Sequence, residues 1–252
     1  NYGYTNGMRR DSKFHIGRES VQKKYTEFSD LIFTSSTCYA NLLCEKLPNL
    51  SNKIKNNYFG YHKSIDYENK NSERDRKKLK IAYAGLMSPT QKPEILYEAI
   101  KGIDDFDVEI YFIGNSEQYK PINTIVDSKV VIIPSMPHRE FLDFMLENID
   151  VGFVSLEKKY YGMCIPSKIY DYINLGLPIL GALPQGDAID IINDNQYGSA
   201  VQFGDIEGLR AGIMKLAQEK EFDQCKRNVT KDRKQWSMEC TIQEVHIMLQ
   251  AL

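Results

Sequence analysis

Pro166-Ser167-Lys168-Ile169-Tyr170-Asp171-Tyr172-Ile173-Asn174-Leu175-Gly176-Leu177-Pro178-Ile179 carries the signals of a helix and of both its ends. Ser167 is a residue type that caps helix starts through its hydroxyl. Gly176 supplies the left-handed turn that stops a helix, and Pro178 blocks any continuation. Lys168 and Asp171 stand three positions apart, so they share one face of the first turn. The lysine and the first-turn amides favour an anion. A carboxylate one turn further on can accept two hydroxyl hydrogen bonds from a ribose.

On either side of this helix, short apolar runs alternate with amphipathic stretches. Strands are expected over residues 30–34, 55–61, 80–84, 108–113, 130–134, 151–156, 178–182 and 200–203. Helices are expected over 38–47, 92–103, 138–148, 167–175, 188–193 and 205–220, with a terminal helix over 235–252. Strands alternating with helices of this length imply right-handed crossovers and a parallel sheet, hence a doubly wound α/β domain. Ile110-Tyr111-Phe112-Ile113 and Val130-Val131-Ile132-Ile133 are apolar at successive positions, as in a sheet covered on both faces. Such sheets bind ligands beyond the carboxyl ends of their strands. The segments to inspect are therefore 85–92, 114–119, 134–138, 156–168 and 183–187.

The domain organisation expected is an end of an N-terminal domain over 1–66, a polar linker over 67–79, a ligand-binding domain over 80–235 and a final helix over 236–252. Residues 1–11 read as a loop whose preceding structure is missing. The basic cluster Arg74, Arg76, Lys77, Lys78 and Lys80 reads as a solvated lead-in to the next strand.

Composition narrows the function. The chain has 252 residues, 42% hydrophobic and 26% charged, with a formal net charge of -2. That is an ordinary globular composition with no overall pull toward nucleic acid, so an anion site has to be local. No apolar run reaches membrane-spanning length, and the N-terminus has no signal-peptide pattern. The five cysteines are odd in number and show no C-x-x-C spacing, which argues against a disulfide framework or a zinc site and points to a reducing cytoplasm. The sequons at Asn49 and Asn228 then read as chance matches.

The run Tyr83-Ala84-Gly85-Leu86-Met87-Ser88-Pro89-Thr90-Gln91-Lys92 is a second candidate anion loop. Gly85 permits close backbone approach, and Lys92 adds a charge. Together with 166–179 it resembles retaining GT-B glycosyltransferases of the family-4-like "glycosyl transferases group 1" type. Residues 166–179 are similar to the family's PSK-x-x-E-Y-x-x-x-G-x-P-V signature. Phe112-Ile113-Gly114-Asn115 resembles its I-G turn, Gly204-Asp205-Ile206-Glu207-Gly208-Leu209 its G-D-x-E-x-L, and Trp236-Ser237 the lead-in to its last helix. Residues 28–60 look like the end of its N-terminal domain. The match covers nearly the whole chain, and the order of the motifs is more specific than any one of them.

The resemblance implies a nucleotide-sugar transferase, retaining and metal-independent, that takes a UDP- or GDP-sugar to a glycan or lipid-linked acceptor in polysaccharide or glycoconjugate biosynthesis. It implies that Gly85, Gln91, Lys92, Ser167 and Lys168 cradle the diphosphate, that Asp171 holds the ribose, and that Pro134, Ser135 and Met136 touch the base. Gly114, Asn115 and Pro166 complete the donor loops. No cofactor beyond the substrate is expected, nor a nucleic-acid partner. Placement is expected in the cytoplasm, with peripheral contact on the inner membrane face through the missing N-terminal part. The sequence departs from the family where Asp171 replaces Glu, where an earlier Glu falls near Met163, and where Gln91 takes the place of a cation. Negative charge developing on a departing diphosphate needs cations and oriented amides where no metal answers it. Asp105-Phe106-Asp107 imitates a metal-binding D-x-D but precedes a strand, at the edge away from the ligand. His138 reads as a surface histidine at a helix start, and Tyr160-Tyr161-Gly162 as a loop. Two other readings stand beside transfer: a donor-binding module without turnover, and an epimerase or scaffold of the same fold.

Overall fold

The computed structural model describes residues 13–65, 78–116, 119–160 and 163–251. The loop expected over 1–11, most of the linker, the basic residues Arg74, Arg76 and Lys77, and Tyr161-Gly162 lie outside the described residues. Within them, α1 (Lys13–Phe28) is followed by β1 (Ile32–Thr34), α2 (Thr37–Lys46), a 3-10 turn (Pro48–Lys53) and β2 (Ile54–Asn56). β1 and β2 form a two-stranded parallel sheet, with Ala40, Leu43 and Ile54 as its small core.

The larger sheet uses β3 (Lys78–Ala84), β4 (Asp107–Ile113), β5 (Val130–Ile133), β6 (Val151–Ser155), β7 (Ile179–Leu183) and β8 (Gly198–Gln202). Their order is β5-β4-β3-β6-β7-β8, and every pairing is parallel. The crossovers carry α3 (Ile95–Ile100), α4 (Lys120–Asn123), α5 (His138–Asn148), α6 (Lys168–Asn174) and α7 (Asp187–Asp194), and α8 (Ile206–Ala217), α9 (Glu219–Asp232) and α10 (Met238–Gln250) complete the chain. The pleat sends alternate side chains to opposite faces. Val151 and Phe153 of β6 enter one core with Leu96, Leu209 and Phe222, while Val154 enters the other with Ile169, Ile173 and Ile192. All five residues of β6 are buried, as the doubly covered sheet requires.

The sheet has one irregularity at its centre. β3 pairs with β4 along its whole length, Lys78↔Asp107 to Ala84↔Ile113, but with β6 only at Ile81↔Val151 and Ala82↔Gly152. Beyond Gly152 the two strands part, and the hydroxyl of Tyr172, from α6, fills the gap. It accepts from Ala84 N (3.2 Å) and donates toward Phe153 O (3.0 Å) and Ala82 O (3.3 Å). Backbone groups that have lost their ladder partners are thereby satisfied. The ring lies flat on β6 because position 152 has no Cβ: one there would sit 2.3 Å from Tyr172 Cγ.

Several elements differ from the sequence expectation. The helix expected from 92 begins only at Ile95, because Lys92 turns through a left-handed φ of 45° and Pro93 follows. The helix expected over 205–220 breaks at Gln218, whose ψ of 122° is extended, and α9 starts afresh. α9 is mostly charged and buries only Phe222, Cys225 and Val229, a stripe one residue wide at helical spacing. The terminal helix starts at Met238 rather than 235, because residues 233–236 form a 3-10 turn that seats Trp236 against Tyr58, Tyr170 and Tyr197. The stop of α6 is as the sequence implies: Gly176 has φ 66°, Leu177 N donates to Tyr172 O and Gly176 N to Ile173 O, which is a Schellman closure.

Filling the space under the Tyr172 ring is expected to cost stability. Gly152→Ala should lower the unfolding free energy by about 1–3 kcal/mol, the usual cost of overpacking. Urea unfolding of the two chains checks this.

Candidate functional site at the carboxyl edge of the sheet

The strand order reverses at β3 and β6, the point beyond whose strand ends a ligand crevice is expected, and Glu157 N donates to Thr90 O at 2.9 Å between the two loops that follow. The separation held by Tyr172 lies at that point. Gly85 ends β3 at φ 119° and Gly114 ends β4 at φ 134°, in the left-handed half of the map that glycine tolerates. Gly85 N donates to Ile113 O at 2.8 Å, and a Cβ on Gly114 would lie 2.3 Å from Gly85 O. Gly114 is buried behind, and Gly85 is open to solvent.

Lys168 reaches over this open glycine from the start of α6. Its Cε and Nζ lie 3.1 and 3.2 Å from where a Gly85 Cβ would stand. Its Nζ is 5.0 Å from the centroid of the Tyr83 ring, which is fixed by its hydroxyl's bond to Leu86 O at 2.8 Å. Two sequence segments more than eighty residues apart thus meet at one ammonium. Loss of water lowers the pKa of Lys168, and Asp171 pulls it the other way. Among the described residues no carboxylate closes an ion pair with it. Asp171 is exposed, yet protein crowds around it and pushes its carboxyl above the usual range, with Lys168, His138 and His62 opposing. His138 opens α5 directly after 134–136, so that segment lies on the Asp171 side. Pro134 and Ser135 are exposed there, and Met136 packs on the second core.

Other candidates are placed differently. Gln91 is taken up within its own turn by the Ser88 hydroxyl. Lys92 Nζ lies 6.0 Å from the centroid of the Phe203 ring, just past β8. It stands near a cavity of about 260 Å³ lined by Lys158, Leu183, Pro184, Gln185, Gln202 and Phe203. Asn115 is exposed, and its carbonyl accepts from Met87 N at 3.4 Å. Pro166 O accepts from Ile169 N in the first turn of α6. Ser167 makes no capping bond, contrary to its sequence reading: at φ −58° and ψ −25° it is already helical, and a capping hydroxyl needs an extended residue.

Asp187, at the start of α7, is 4% exposed. It accepts hydrogen bonds from Thr37 N, from Cys38 N at 2.9 Å and from the Tyr58 hydroxyl at 2.9 Å. Burial alone raises its pKa, but the bonds from Cys38, Thr37 and Tyr58 outweigh that and bring it below the ordinary value.

No protein-family model matches the chain, and no curated protein matches it in sequence. Its shape does find counterparts. HepE of Anabaena, solved with UDP-glucose, superposes with a TM-score of 0.68 at 13% identity, over 90% of this chain and 65% of that one. A glycosyltransferase from Rickettsia africae gives 0.70 at 14% identity, over 91% and 66%. The apo lipopolysaccharide outer core galactosyltransferase WaaB gives 0.67 at 11%, over 90% and 63%. This chain has the GT-B glycosyltransferase fold. It spans about two thirds of the length of each of these structures.

Within the GT-B fold, Asp107 opens β4 at the amino edge and pairs with Lys78 at 3.6 Å, so the D-x-D imitation is far from the crevice in the strand direction. Sequence reasoning gave neither Tyr172 nor Asp187 a role. Tyr172 matches the tyrosine of the quoted signature, but nothing in its neighbours in sequence points to the strand gap it fills. Asp187 reads as an ordinary first-turn acid, although it ends the segment 183–187 that the sheet topology marks for inspection.

The lowered pKa of Asp187 has a definite sign. Its stabilising contribution is present above the unfolded aspartate value of about 3.9 and fades as pH falls through the lower folded value. Asp187→Asn should therefore cost about 1–3 kcal/mol at pH 7. The gap between variant and wild type should narrow below about pH 4, as chemical unfolding at stepped pH will show.

Proposed function

We propose that the carboxyl edge binds the diphosphate of a nucleotide sugar, and that the chain is the donor-binding part of a glycosyltransferase. The observation that carries this is Lys168, half withdrawn from water and poised over the open Gly85, in no ion pair among the described residues. A cation in that position gains by meeting an anion, and a bare glycine lets phosphate oxygens come close. Asp171 beside it suits the ribose hydroxyls, and residues 134–136 suit the base. Support for the sugar comes from the counterparts: HepE was solved with UDP-glucose, and WaaB is described as a galactosyltransferase.

On this reading Lys168 offsets charge that builds on the leaving diphosphate as the glycosidic bond breaks. Lys92 is the second cation, on the side toward β8. Retention at the anomeric carbon, a UDP or GDP donor, and a glycan or lipid-linked acceptor belong to the same proposal. So do freedom from metal and cofactor, and a cytoplasmic setting with peripheral membrane contact. A second reading, donor binding without turnover by this chain alone, is favoured by the two-stranded β1–β2 sheet with its three-residue core. Sugar transfer by the isolated chain would exclude it.

Calorimetry with UDP and GDP tests the first reading, and no binding of either at millimolar concentration sinks it. Removing the charge-assisted contact in Lys168→Ala should weaken nucleotide binding about 10- to 100-fold. Asp171→Asn should weaken binding of UDP more than that of inorganic pyrophosphate, since only UDP carries a ribose. Thermal shifts across a panel of nucleotide sugars rank the donors, because a ligand bound to the native state raises the melting temperature by mass action.

A further inference from the structure

The segment 36–65 meets the rest of the chain in two regions. One is tight and multiply joined: Thr241 Oγ1 donates to Tyr58 O at 3.0 Å and Asn174 Nδ2 to Lys63 O at 2.8 Å. A Cβ on Gly60 would lie 2.5 Å from Ser237 C and from Trp236 O. Tyr61, itself 5% exposed, forms a backbone bridge to Ser237, and the Tyr58 ring packs at 5.8 Å on Trp236. Separating these surfaces would expose aromatic area and empty a close backbone contact.

The other is polar. The turn that begins α2 presents Thr37 N and Cys38 N to Asp187, and Tyr58 adds its hydroxyl. Ser36, which caps α2 by accepting from Tyr39 N, also donates to Met163 O at 3.1 Å. Met163 opens the stretch that leads to Pro166 and Lys168. All three donors to Asp187 come from this other segment. A buried carboxylate stripped of its donors is costly, but this one is rehydrated as soon as the turn lifts away. The contact therefore has two satisfied states, one bonded and one hydrated, which a core contact lacks.

We propose that Asp187 is a positioning residue that latches the turn Ser36–Cys38 onto the carboxyl edge, with Gly60–Tyr61 as the pivot. When latched, the turn holds the loop ahead of Lys168 through Ser36. When released, the crevice gains an open side. The proposal concerns how two parts of the chain are held together, and it stands whatever ligand the edge takes.

Spin labels introduced through unnatural amino acids at Glu45 on α2 and Asp194 on α7, both exposed, report the separation by double electron–electron resonance. The wild-type chain should give one short distance. Asp187→Asn should add a longer population, with the open-to-closed ratio raised about tenfold or more, as expected from losing charge-assisted bonds. Thr37→Pro attacks the same contact from the other side and leaves the carboxylate intact. Position 37 is the first residue of α2, where proline is tolerated, and Ser36 before it is already extended at ψ 146°. It should shift the distances in the same direction even if Asp187→Asn fails to fold. A second label pair at Lys63 and Glu239, both exposed and each two residues past the Tyr61–Ser237 bridge, should keep its wild-type dipolar coupling in both variants. Wild-type distances in both variants overturn the latch. Longer Glu45–Asp194 distances accompanied by a weakened Lys63–Glu239 coupling overturn the pivot, since the whole segment has then come away.

Discussion

The hydroxyl of Tyr172 sits between two strands that have stopped pairing. β3 and β6 share only two register positions, and from Gly152 onward nothing in the backbone joins them. Without a bridging group, Ala84 N would be a buried donor with no partner, and the strands would have to close or fray. The phenol resolves this from α6, the helix that also carries Lys168 and Asp171. One side chain therefore opens the crevice, satisfies its walls and fixes the phase of the helix whose polar face lines it. Gly152 is the other half of the arrangement, since only a bare backbone leaves room for the ring.

Much of this was legible in the sequence because it rests on local chemistry. The doubly wound sheet follows from apolar runs of strand length alternating with amphipathic stretches. The end of α6 follows from Gly176 and Pro178, and the closeness of Lys168 to Asp171 from helical spacing alone. What the sequence hid depends on partners far away in the chain. The cap expected at Ser167 was lost because the preceding loop brings that residue in already helical. α9 went unread because three apolar residues in a charged stretch make a helix only when a core is waiting for them. Lys92 was assigned by its neighbourhood in sequence, whereas its direction is set by a left-handed turn and by Phe203 across the sheet.

The two contacts of the N-terminal segment obey different physics. At Gly60 and Trp236, close backbone packing decides, reinforced by the bonds of Thr241 and Asn174, so the contact is short-ranged. At Asp187 the balance lies between solvation and three hydrogen bonds, which responds to charge and to whatever else enters the space. A chain joined in both ways has a fixed axis and an adjustable far side.

The glycine at the end of β3 has a thermodynamic meaning as well. A ligand that settles on Gly85 meets backbone already held by the bond to Ile113 O and by Gly114 behind it. No rotamers are frozen there on binding, so that part of the surface adds no ordering entropy. The flexible partner is Lys168, and the face of Tyr83 already limits its freedom. The crevice is thus stiff at its base and lightly restrained above, so the entropy lost on binding falls mainly on the incoming molecule.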